Sequence, residues 1–145
     1  MVRVNIIDPA ELHDQHLNAE RVEILMLCGA FLRSMNSRNG IKVSSIPSHY
    51  KLNRGHILFF YDKGLYLHKR FRAVTKEMIK RGFSPDQSIT FPAHYWPKHL
   101  YNDWSPSRED EAVIRFRLAQ KVAMKPSWYR KTPVRTHVIA WRRQP

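Results

Sequence analysis

Residues 14–35 read DQHLNAERVEILMLCGAFLRSM, and this stretch decides the fold. Leu17, Ile24, Cys28, Phe31 and Met35 fall near one face at helical spacing, with polar groups between them. Upstream, Asp8-Pro9-Ala10-Glu11 has the make-up of a helix start: an acidic cap, a proline in the first turn and a glutamate three residues after the cap. Asp14 offers a second cap, so the spacing predicts a helix from Asp8 or Asp14 to about Met35. With the later start, a short turn would come first. Asn36-Ser37-Arg38-Asn39-Gly40 ends the pattern.

Two more helices follow from the same argument. Leu67, Phe71, Val74 and Met78 are spaced four, three and four apart, which predicts a helix from Asp62 or Lys63 to Arg81. Lys80-Arg81-Gly82-Phe83 closes it: cations in the last turn, then glycine, then an apolar residue. Ser107 with Asp110 three residues on predicts a third helix, Arg108 to Met124, with the stripe Ile114, Leu118, Val122 and a stop at Pro126. Between these lie residues 37–57 and 84–106, long for connections in a small domain. The second holds four prolines interleaved with Tyr95, Trp96, Tyr101 and Trp104, rings that suit ordered loops packed on helices. Ile57-Leu58-Phe59-Phe60-Tyr61 has no evident strand partner and reads as buried coil or helix. The expected fold is mainly α: residues 1–145 as a single domain of three principal helices with long ordered loops, and a basic tail from about residue 130.

The 145 residues carry 25 Lys+Arg against 12 Asp+Glu, a formal charge of +13. Such an excess favours a polyanionic partner. No apolar run approaches the ~20 residues of a membrane span, and Met1-Val2-Arg3-Val4-Asn5 lacks the apolar core of a signal peptide. Cys28 is the only cysteine, which excludes a disulfide framework and a multi-thiolate zinc site. A cytoplasmic, reducing location follows as the expectation, with no membrane partner.

Glu23 interrupts Val22-Glu23-Ile24-Leu25-Met26-Leu27, where a carboxylate is expensive to bury. It reads either as an ion-paired or solvated acid, or as a partly desolvated carboxylate poised for acid/base work. Gln15, His16 and Arg21 lie on the same helix. His13 and His16 are three apart, but no further metal-ligand set accompanies them, so no metal is expected. Walker loop, GxGxxG and nucleophile elbow are all missing, and no nucleotide or other cofactor is expected. Arg117 and Lys121 are one turn apart. Beyond them come Lys125, Arg130, Lys131, Arg135, Arg142 and Arg143, mixed with Trp128, Tyr129 and Trp141. Cations that neutralise phosphates and rings that stack on bases suit nucleic acid. The plainer alternative is a solvated basic face with core tryptophans.

The combined pattern resembles the phage-type pyrimidine dimer DNA glycosylases. The resemblance rests on Arg3-Val4-Asn5, Glu11-Leu12, Asp14-Gln15-His16-Leu17, Ala19-Glu20 and Glu23. It continues through Gly55-His56, Phe59-Phe60-Tyr61-Asp62-Lys63, Lys69-Arg70 and Lys80-Arg81-Gly82-Phe83. It returns at Arg117, Leu118, Lys121, Pro126 and Trp128-Tyr129. It implies a mainly helical domain acting on damaged double-stranded DNA, as a monomer. It also implies a DNA glycosylase with abasic-site lyase activity. In that family the nucleophile is the α-amine exposed when the initiator methionine is removed, here that of Val2. Glu23 matches the catalytic acid. Arg3, Gln15, His16, Arg117 and Lys121 match positions that hold DNA; neighbouring Arg21 and the Trp128-Tyr129 pair complete the expected DNA-binding set.

The chain departs from the family at three points. The family usually has threonine where Val2 stands, and arginines where Val22 and Met26 stand. The amine survives the first change. The other two leave room for a different lesion, or for a non-catalytic DNA-binding protein on the same scaffold. A small RNA-binding protein is the third reading, although RNA binding has no use for Glu23.

Overall fold

A computed structural model describes residues 2–135. The chain is mainly α, with four helices and, among the described residues, no strand. They are α1 (Asp14–Met35), α2 (His56–Phe59), α3 (Gly64–Lys80) and α4 (Arg108–Met124). No helix among these residues is long and apolar enough to cross a membrane.

Both candidate starts of the first helix are used, in different ways. Asp8 accepts from the Ala10 N–H at 3.0 Å and caps a short 3-10 turn, Pro9–Glu11. The main helix then begins at Asp14, with His13 rather than Asp14 in the cap position. The Asp14 carboxylate is committed elsewhere, to Arg81 and Thr132.

Leu17, Ile24, Leu27, Cys28 and Phe31 of α1 are buried, and α1 packs on α3 through Leu67, Phe71 and Val74. Residues 57–61 are helical, the end of α2 running into a 3-10 turn at Phe60–Asp62. α3 starts where Trp96 presses on its first residue. A Cβ on Gly64 would stand 2.6 Å from Trp96 Cδ1, so only glycine fits. It stops at Gly82, whose φ of +92° suits glycine; Phe83 N–H then donates to the Met78 carbonyl at 3.0 Å. The Ser107–Asp110 pair forms both hydrogen bonds of a capping box and begins α4.

The 84–106 segment is ordered by its rings. Trp96 stacks on Phe31 at 4.0 Å and donates its indole N–H to the Tyr61 carbonyl at 3.2 Å. This meets the condition for burying a tryptophan, an apolar body with its one donor satisfied.

Two buried arginines tie the helices together. Arg70 of α3 meets Glu20 of α1 at 2.5 and 3.0 Å and also donates to the Ile7 carbonyl. Arg81 meets both Glu77 and Asp14 at 2.9 Å. After α4 the chain turns back over the start of α1 as a strap. Trp141, Arg142 and Arg143 lie outside the described residues.

Candidate nucleic-acid interface and catalytic pocket

The N-terminal segment has no regular structure, yet Val4, Asn5, Ile6 and Ile7 are all buried. Three successive backbone N–H groups are each taken by a side chain. Arg3 N–H donates to the Glu23 carboxylate. Val4 N–H donates to His56 Nε2 at 2.9 Å, and Asn5 N–H to Glu20 Oε1 at 3.2 Å. His56 can accept there because its Nδ1–H faces the Lys51 carbonyl at 2.7 Å, which fixes the neutral tautomer. Tyr50 O–H caps the Val4 carbonyl at 3.2 Å. Residue 2 is thereby held one peptide unit from the Glu23 carboxylate. Val2 itself is half-buried against the core.

Beside this segment is a cavity of about 370 Å³ between α1, α4 and the strap. Arg3, Gln15, His16, Glu23, Arg117, Lys121, Trp128 and Tyr129 all line it. Eight residues expected at the site thus come together from four separate parts of the chain. Arg21 does not join them. It is buried on the far side of α1, where it donates to Thr75 Oγ1 at 3.0 Å and to the carbonyls of Asp86 and Ile89. Its assignment to DNA binding is corrected: two residues before Glu23 it points about 200° away around the helix.

Glu23 is half-buried, and burial raises its carboxyl above the usual range, against the opposing pull of the Arg3 N–H and guanidinium. Glu20, not Glu23, is the acid fully lost from solvent. Arg3 is depressed by burial and then by the charge of Arg117. Two guanidinium groups that cannot shed their charge therefore face one space, a setting that favours an anion.

His16 stacks on Tyr129 at 4.7 Å, and its pKa is lowered to about 4, by burial first and then by neighbouring cations. Neither of its ring nitrogens has a hydrogen-bond partner among the described residues, and the same holds for Asn5 Oδ1. Buried polar atoms of this kind are rare in a finished interior; here both side chains line the cavity, where a bound molecule can meet them. Asn5 and Asn53 were not among the expected site residues. Asn5 stood in the Arg3-Val4-Asn5 block, but only its bond to Glu20 reveals its aim. Asn53 reaches the cavity from a loop position with φ +63°, which no local pattern announces.

Gln15, besides lining the cavity, binds the strap. Its amide donates to the Trp128 carbonyl at 2.5 Å and accepts from Arg130 N–H at 3.1 Å. It thus clamps the strap on both sides of Tyr129. Asp14 completes the latch through Thr132 Oγ1 at 2.5 Å and Thr132 N–H at 3.1 Å. Burial works to raise the Asp14 carboxyl, but the Thr132 and Arg81 hydrogen bonds outweigh it and hold the group below its ordinary value. A depressed carboxylate stabilises above its unfolded pKa, near 3.9, and loses that contribution as pH falls through the lowered folded value. The strap is therefore expected to hold at neutral pH and to loosen only in strong acid. Asp14→Asn should loosen it at neutral pH, with tryptic cleavage after Arg130 and Lys131 accelerated roughly tenfold, the scale of one charged hydrogen bond. Unchanged cleavage would show that the strap is held by Gln15 and by the backbone bonds of Asp14 N–H to the Arg130 carbonyl and Arg135 N–H to the Lys80 carbonyl.

The family model for pyrimidine dimer DNA glycosylase matches residues 1–91, which include the pinned N-terminal segment and all of α1 and α3.

Proposed function

The chain belongs to the pyrimidine dimer DNA glycosylase family, and from that premise we propose that it excises a damaged base through an N-terminal imine and then nicks the strand. Its substrate in this reading is a duplex carrying a UV pyrimidine dimer, bound by a monomer. Removal of Met1 would free the α-amine of Val2. With a pKa near 7.7–8.0, a substantial fraction of such an amine is neutral and nucleophilic at physiological pH, unlike most lysines.

The amine nitrogen attacks C1′ of the flipped nucleotide and the glycosidic bond breaks, its electrons leaving with the base, which takes up a proton. Opening of the sugar ring gives the protonated imine. Glu23 then removes a C2′ proton, and the electrons of that C–H bond expel the 3′ phosphate by β-elimination. Before that step its negative charge stabilises the cationic sugar. Arg3, Arg117 and Lys121 hold phosphates, and Trp128, Tyr129 and His16 make the wall against which an extrahelical nucleotide rests.

The observation that carries this reading is the pinned N-terminus. The consecutive N–H bonds from residues 3, 4 and 5 to Glu23, His56 and Glu20 fix the chain end beside a half-buried carboxylate. A binding protein has no need of that arrangement.

The test is borohydride trapping on a duplex with one cis-syn thymine dimer, beside an abasic-site duplex, using protein shown by mass to lack Met1. A covalent complex on both is expected. Trapping on neither would favour a DNA-binding protein on the same scaffold. Trapping on the abasic duplex alone would keep the lyase chemistry and move the lesion elsewhere, in line with Val22 and Met26 standing where the family has arginines.

A further inference from the structure

Arg21 lines a second cavity instead of the catalytic one. This space of about 420 Å³ opens between α1, α3 and residues 87–91, on the side of α1 away from Glu23. Arg21 is 7% exposed, and among the described residues it donates only to Thr75 Oγ1 and to the carbonyls of Asp86 and Ile89. Asp86 turns its carboxylate onto Ser88 N–H and Oγ, at 3.0 and 2.6 Å. Buried Arg70 and Arg81 each hold a carboxylate. Arg21 is not paired in this way, and a buried charge without a counter-charge is unusual. Arg72, Lys76 and Lys80 stand around it, exposed and one turn apart along α3. Among the described residues, no Asp or Glu lines the cavity.

The apolar surface left open between these cations is aliphatic. Ile79 and Ile89 are 43% and 45% exposed, whereas Phe71 and Phe91 are 4% and 6% exposed. A single nucleic-acid strand would find cations for its phosphates but one ring to rest on, His68 stacked on Phe91 at 4.8 Å, where strand binding uses several. A second copy of the chain, itself at +13, would be repelled. Residues 136–145 follow Arg135, whose N–H donates to the Lys80 carbonyl, but they hold two arginines and no acid. We propose that the cavity docks an acidic segment of another protein that carries a large aliphatic side chain. That side chain enters between Ile79 and Ile89, and the flanking carboxylates meet Arg72, Lys76 and Lys80, with Arg21 beneath. The site faces away from the catalytic pocket, so a partner is held without displacing DNA. The proposal does not depend on the imine chemistry.

The test measures fluorescence anisotropy of a labelled polyglutamate peptide with one central leucine, and of the same peptide with serine in its place. The full chain should bind the leucine peptide roughly tenfold tighter, the worth of one buried aliphatic side chain. Ile79→Ser should erase that preference. Arg72→Ala/Lys76→Ala should weaken both peptides roughly tenfold and make their binding less sensitive to salt. All three side chains are exposed, so circular dichroism should match wild type, and duplex affinity of Ile79→Ser should stay within about twofold because no phosphate contact is lost. Arg117→Ala/Lys121→Ala, at the other cavity, should weaken the duplex and keep the preference for leucine. Equal affinity for the two peptides would overturn the proposal, as would a preference that survives Ile79→Ser or vanishes in Arg117→Ala/Lys121→Ala. An Ile139→Ser/Trp141→Ser variant that binds the leucine peptide more than about threefold tighter would overturn it in favour of residues 136–145 as the occupant. A single-stranded oligonucleotide that loses affinity in both Ile79→Ser and Arg72→Ala/Lys76→Ala, while the peptides do not, would assign the cavity to nucleic acid instead.

Discussion

Glu23→Gln is expected to lower strand cleavage by roughly 10²–10⁴-fold, the usual worth of a positioned acid/base group, while duplex Kd shifts by less than about threefold. The substitution keeps the size of the side chain and an oxygen that can accept from Arg3 N–H, so the chain end stays near its place. What it removes is the negative charge that would balance a cationic sugar, and the base that would take the C2′ proton. Binding is spared because the phosphates are held elsewhere, by Arg3, Arg117 and Lys121 around the same cavity. The pH profile separates this from a structural effect. Burial raises the Glu23 carboxyl, so wild-type activity should fall, as pH drops, at a value above the ordinary ~4.3 of a glutamate. On the alkaline side activity should rise toward the amine pKa, since the neutral amine is the nucleophile. In Glu23→Gln the carboxyl's acid limb should disappear, while the fall due to protonation of the amine stays. A variant that cleaves like wild type, or that keeps the carboxyl's limb, would show that Glu23 neither moves the proton nor balances the charge.

The helices were legible because their spacing is local. Leu67, Phe71, Val74 and Met78 declare α3, and the structure buries all four. The loop rings were legible too, since so many aromatics in a proline-rich stretch must find something to pack on. The site was legible mainly through resemblance. The physical argument for Glu23 leaned on its apolar neighbours, yet Val22 and Met26 are exposed, and the fully buried acid is Glu20, three residues earlier. A run of apolar letters does not distinguish a buried helix face from an exposed one; only the partner helix does. Arg21 was avoidable, because helix geometry alone separates it from Glu23. The clamp of Gln15 on the strap was not. It joins residues 113 apart in sequence, and a backbone carbonyl leaves no signature in the letters that surround it. The same holds for His56, whose role depends on meeting Val4 from 52 residues away.

The stability of the pinned N-terminus rests on a pair whose removal is expected to have the second large effect. Arg70→Met should lower unfolding free energy by roughly 3–5 kcal/mol, the cost of leaving a buried charge without its partner. Urea denaturation should read it as a fall in midpoint at constant m. Arg70 is raised in pKa by the Glu20 charge and hydrogen bond even though burial, the largest influence, works the other way. Glu20 is 0% exposed and accepts from Asn5 as well as Arg70. The double variant Glu20→Leu/Arg70→Met should recover much of the loss, because packed hydrocarbon often replaces a buried pair at little cost. Excision should not recover with it. Asn5 N–H and Nδ2 would have lost their acceptor, and the chain end that presents residue 2 would keep only its bonds to Glu23, His56 and Tyr50. A displacement of about 1 Å at a reacting group can cost roughly 10²-fold in rate. A double variant that regains both stability and excision would mean that Glu20 serves the fold alone; one that regains stability without excision would separate the role of Glu20 in aiming the chain end from its role in holding the core.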